Sequence, residues 1–133
     1  MSSLHRSGYE GTSCLNGFVG DTRSCHTENT ENFPWIAFEL SQAQFVSHVT
    51  VINSSTSGNR LRNFEVRVSN TQPLIGDKKF TDGTKIGKTF IGPASDNQIL
   101  DFFAPHDVSG KWVVLQMHNR DYLNLAEVII YGY

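Results

Sequence analysis

The chain has 133 residues, of which 38% are hydrophobic and 18% charged, with a formal net charge of -2. That is enough for a single globular domain, residues 1–133, with a core of its own. With no basic run, the composition argues against nucleic acid as the main partner and against charge-driven binding to anionic membranes.

Residues 1–33 are rich in Gly, Ser, Thr and Asn and lack strand periodicity. So long an irregular segment in so small a domain is usually functional, or is held by a metal or a disulfide. Its start, Met1-Ser2-Ser3-Leu4-His5-Arg6, is polar and is not a signal peptide. Two readings follow: a cytoplasmic protein, or a mature extracellular domain supplied with a new Met. No stretch reaches the roughly 18 apolar residues of a membrane helix. Cys14 and Cys25 lie in this segment. They would pair in an oxidising compartment and stay two thiols in a reducing one.

Strands follow. Trp35 to Leu40, after Pro34, is the first, and Phe45 to Asn53 the second, with Val49 and Val51 inward. A turn cluster, Ser54-Ser55-Thr56-Ser57-Gly58-Asn59, comes next. Asn63 to Ser69 alternates strictly, placing Phe64, Val66 and Val68 on one face and Glu65 and Arg67 on the other. A loop with Leu74, Ile75 and Phe80 follows, punctuated by Gly76-Asp77 and Asp82-Gly83. Lys85 to Ile91, Gln98 to Phe103, Lys111 to His118 and Leu125 to Tyr131 complete the set. In Lys111 to His118, Val113, Leu115 and Met117 share a face. No segment carries a sustained helical stripe, so the pattern predicts an all-β sandwich or small barrel.

Glu127 is the one carboxylate in the last apolar run, and burying an unpaired charge is costly. Its candidate partners lie in Asn16 to His26, which suggests a cation stapling the two ends of the chain together. The five His residues show no zinc-ligand spacing, and Cys14 and Cys25 have no catalytic partner signal. No second carboxylate is placed beside Glu127, no phosphate loop exists, and the chain reads as a binding module rather than an enzyme.

Three motifs resemble a known family. Phe33-Pro34-Trp35-Ile36-Ala37-Phe38-Glu39-Leu40 resembles a strand of discoidin-like domains, the coagulation-factor C-domain fold. Leu123-Asn124-Leu125-Ala126-Glu127-Val128 is similar to that fold's closing strand, and Cys25-His26-Thr27 looks like its fucose-binding branch, the F-type lectins. The resemblance covers most of the chain. It implies a discoidin-like jelly-roll β-sandwich of the galactose-binding-domain type. It also implies a non-enzymatic lectin that recognises terminal fucose or a related sugar on glycans.

The family's sugar motif is a His, a long spacer, Arg-x-Asp, a short spacer, then Arg or Lys. Its positions fall on His26, Asn53, Ser55 and Arg60, so Asn53 replaces an Arg and Ser55 an Asp. The family's adjacent Cys pair, an apolar platform under the sugar, falls on Thr56-Ser57. His5 and Tyr9 would flank the same pocket. Each residue also has a plain reading: His26 as a loop cap, Arg60 as a solvated turn residue, Asn53 as a turn cap. Asn53-Ser54-Ser55 is in addition a formal glycosylation acceptor, which would block the pocket.

The resemblance further implies a structural Ca2+ held by the early loop and an acid of the last strand, here Asn16, Asp21, Ser24 and Glu127. Asn16 stands for an Asp of the family and Phe18 for an Asn, leaving fewer hard ligands. The positions of a family disulfide fall on Ser24 and Ala126. The resemblance implies an opening strand that this sequence does not show; its absence would leave the last strand with a bare edge, through a boundary of the sequence or with a partner chain filling the gap. The rival reading is a discoidin-type adhesion module that binds protein or lipid through apolar spikes, with Leu74, Ile75 and Phe80 as candidates.

Overall fold

The computed structural model describes residues 25–26, 32–73 and 79–132. These form seven strands: β1 (Cys25–His26), β2 (Trp35–Asn53), β3 (Phe64–Ser69), β4 (Thr84–Phe90), β5 (Ile99–Phe103), β6 (Ser109–Met117) and β7 (Asn124–Gly132). Among the described residues one 3-10 turn, Gly58–Arg60, interrupts them. All pairings are antiparallel, in the order β1-β7-β2-β6-β3-β4, with β5 added to β2.

The expected strands 35–40 and 45–53 are one strand, β2. Its first half pairs with β6 and its second half with β7 and β5. The register shifts between Glu39 and Gln44, where side chains are exposed. A strand that changes sheet at an irregularity makes the corner of a sandwich. Sequence periodicity ends at this bend because both sides of residues 41–44 meet solvent, and an unburied stretch has no alternation to read.

The other half of the prediction rests on buried alternation and holds. Phe64, Val66 and Val68 of β3 lie opposite Met117, Leu115 and Val113 of β6, and all are buried. Val49 and Val51 of β2 face Ile130 and Val128 of β7. Together with Ile36, Phe38, Ile86, Leu100, Phe102 and Leu125 they fill the space between the two layers. A shift between Val46 and His48 adds Ser47 as an extra residue, which turns both Val46 and Val49 inward. A second shift between Ile52 and Asn53 sets Ile52 against Glu127 and Asn53 against Leu125.

Two expectations, on Phe80 and on the β7 edge, need correction. Glu65 lies on the face of β3 opposite Phe64, Val66 and Val68, as expected, yet it is only 2% exposed. It forms ion pairs with His118 and with Arg67 (Nε to Oε2, 3.3 Å), and Arg67 also donates to the carbonyl of Thr81 at 3.0 Å. The outer face of this sheet is therefore covered. Beside the Glu65 group it carries Trp35, Ala37, Trp112 and Val114, against which Phe80 packs. Phe80 is thus part of a covered cluster rather than an exposed spike, while Leu74 and Ile75 lie outside the described residues. The irregular first segment also contains a strand, β1. It pairs Cys25 with Leu125 and His26 with Asn124, and so occupies part of the β7 edge expected to be bare. Two residues are too short for periodicity to reveal.

Candidate functional site

Three loops meet at the end of the sandwich where β2 stops and β7 starts. They span residues 54–63, 91–98 and 118–123. Asn53 anchors the first. It is fully buried, and its Nδ2 donates to the carbonyls of Gly58 and Ser95, both at 2.9 Å. The Gly58 N–H donates to Asp96 Oδ1 at 2.7 Å. A Cβ on Gly58 would run into the Asp96 carboxylate and lie 2.8 Å from Asn53 Nδ2, so only glycine fits here. Backbone bonds from Asn97 to Ser54 and from Ala94 to Leu61, both 3.0 Å, complete the stitching.

The third loop docks on the first. Asn63 Nδ2 donates to Asn119 Oδ1 at 3.1 Å, and the His118 N–H to the Asn63 carbonyl at 2.9 Å. Asn124 Nδ2 donates to Ser54 Oγ at 3.2 Å. Between the two loops sits a charged group. Asp121 Oδ2 accepts from Arg62 Nη1 at 3.2 Å, and Asp121 Oδ1 accepts the Tyr122 N–H at 2.7 Å. Arg60 Nε stands 4.0 Å from Asp121 Oδ1, and its guanidinium lies 5.2 Å above the centre of the Tyr122 ring. A cation over a tyrosine face is held electrostatically while its N–H groups stay available in the plane. Arg60 and Arg62 are about two-fifths exposed and Asp121 about one-fifth, so the group is open to a ligand.

The sequence-predicted residues divide as follows. Arg60 is at the centre of this group. His26 pairs with Asn124, the residue that bonds Ser54, which puts its strand at the same end. Ser55 is half-buried in the first loop. Asn53 takes the turn-capping role: both amide N–H groups are spent on carbonyls inside the fold, so it does not present them to a ligand. His5, Tyr9, Asn16, Asp21, Ser24 and the Cys14–Cys25 pairing lie outside the described residues. Glu127 is 2% exposed on the outer side of β7, and its Oε2 has no hydrogen-bond partner among the described residues. A buried, unpartnered carboxylate oxygen fits a cation ligand.

Asp121, Tyr122 and Arg62 are functional candidates that the linear motif does not contain. The signal for Asp121 and Tyr122 in the sequence is composition: Asn119-Arg120-Asp121-Tyr122 is a polar and aromatic run between two strands, of the kind that supplies binding loops.

This architecture, two antiparallel layers with a strand that crosses between them and loops gathered at one end, is a discoidin-like jelly roll of the galactose-binding-domain type. Solved structures with this fold match it along nearly its whole length. A fucolectin from the serum of striped bass, Morone saxatilis, superposes with a TM-score of 0.76 at 19% identity over 92% of this chain. This chain spans 41% of that fucolectin's length. The lectin domain of lectinolysin, solved with Lewis B antigen, gives 0.68 at 24% identity, covering 95% of this chain and 86% of that one. A chitosan-binding module from a Paenibacillus chitosanase/glucanase gives 0.66 at 22% identity, covering 98% and 91%. No protein-family model and no curated protein sequence matches the chain.

Proposed function

We propose that this protein is a carbohydrate-binding module of lectin type that holds a terminal sugar, with fucose the first choice, in the loops around Arg60. The observation that carries this reading is the convergence at one end of the sandwich of Arg60, Arg62, Asp121 and Tyr122 with the strand bearing His26. A sugar ring is fixed by a few convergent donors and acceptors and one apolar surface. Arg60 offers a fork of donors, Asp121 an acceptor, and the Tyr122 ring an apolar edge beside them. The fold likeness to fucose-binding and other carbohydrate-binding modules supports the same reading.

The Ca2+ assignment accompanies it. Glu127 would supply the charged ligand, with Asn16, Asp21 and Ser24 as the other candidates. The ion would tie the early segment to β7 without taking part in sugar contacts. An extracellular location goes with this reading, with a cytoplasmic one as the alternative.

A glycan array probed with the full chain, with and without calcium and beside Arg60→Ala, tests the proposal. Binding to fucosylated glycans that disappears in the variant is the expected result. Silence of the wild-type chain over the whole array, or binding that Arg60→Ala leaves intact, would overturn it.

A further inference from the structure

We infer that Asp121 sets the charge preference of this site, weakening the pull of the Arg60–Arg62 pair on anionic sugars relative to neutral ones. The inference rests on the glycan-binding reading above.

Two guanidinium groups that face the same opening form an anion site by default. An arginine fork matches a carboxylate or a sulfate with two parallel hydrogen bonds. Here one carboxylate stands between the two. Asp121 Oδ2 accepts from Arg62 at 3.2 Å, and Asp121 Oδ1 faces Arg60 at 4.0 Å. Its position is fixed from its own backbone side, because Oδ1 also takes the Tyr122 N–H at 2.7 Å. Arg60 cannot swing clear without leaving the Tyr122 ring, 5.2 Å away. Among the described residues no other carboxylate pairs with either arginine. Asp96, at the same end, is turned to the Gly58 N–H.

The consequence is a penalty on anions. A carboxylate or sulfate bonded to the outer edge of Arg60 would lie on the order of 6 Å from Asp121. At that range, in an environment between water and a protein surface, like charges weaken binding about three- to tenfold. A neutral hydroxyl pair meets no such penalty and still receives both donors of Arg60. Salt should shrink the difference, since the group is close to solvent.

The test compares affinities of the full chain for a fucosylated Lewis-type trisaccharide, its sulfated form and its sialylated form, by titration calorimetry at low and high salt. Asp121→Asn should raise the anionic-to-neutral affinity ratio about three- to tenfold at low salt, for both anionic forms alike. Arg62→Gln should move the ratio the opposite way, and it decides the question if Asp121→Asn does not fold. A purely structural role for Asp121 would lower all three affinities together, and that result overturns the inference. So does a change confined to one of the two anionic forms, which would mark a shape effect. If the wild-type chain binds no glycan, the underlying reading falls together with this one. Wild-type binding with an unchanged ratio removes this inference alone.

Discussion

Replacement of Asn53 by Ala tests whether this residue anchors the loop or touches a ligand. The buried amide donates two hydrogen bonds, to the carbonyls of Gly58 and Ser95. Both carbonyls keep another donor after the change: Gly58 accepts from the Leu61 N–H at 3.1 Å, and Ser95 from the Gln98 N–H at 3.2 Å. No carbonyl is orphaned, so the cost is two net hydrogen bonds at about 1 kcal/mol each. A small cavity adds to this. Loss of Asn53 Oδ1, which has no partner among the described residues, offsets part of it. The balance is a loss of about 2 kcal/mol. For a domain of this size that corresponds to a fall in Tm of roughly 6–10 °C, read by calorimetry. Asn53→Asp should be worse than Ala, because it points a carboxylate at two carbonyl oxygens in a dry site. The reasoning is refuted if Asn53→Ala keeps its Tm while losing glycan binding, or if Asp proves as stable as Ala.

Two further outcomes follow from the same geometry. If Glu127 holds a cation, a chelator should lower the Tm of the wild-type chain and leave Glu127→Gln unmoved. A ligand present at a hundred times its Kd adds about 2.7 kcal/mol to the folded state, and equal thermal shifts in both proteins would remove the ion from Glu127. Tyr122→Phe should bind glycans within about twofold of wild type and Tyr122→Leu several-fold more weakly, since the aromatic face rather than the hydroxyl supports Arg60. Equal losses on titration would point to the hydroxyl instead.

Buried alternation made the layers legible from the chain alone. Phe64, Val66, Val68, Val113, Leu115 and Met117 repeat with the two-residue period of a half-buried strand, and the structure buries all of them. Trp35 and Trp112 are buried as well, in a separate outer cluster. Arg60 was legible through its place in a linear motif. Asn53 was given two readings, and the choice between them depended on what surrounds its amide. Loops 54–63 and 91–98 supply those surroundings, and no local pattern connects them.

What the sequence determined by itself is therefore the set of strands with a dry face, because side-chain period follows directly from strand geometry. What only the tertiary structure decided is which of the loop residues meet. The bend in β2 passes the strand from one sheet to the other, and the docking of residues 118–123 on residues 54–63 carries Asp121 and Tyr122 to Arg60 and Arg62. It also buried Glu65 between His118 and Arg67, on the face opposite the main core. Pairings across such distances are set by which surfaces the packed core brings together, and that information resides in the whole chain rather than in any segment of it.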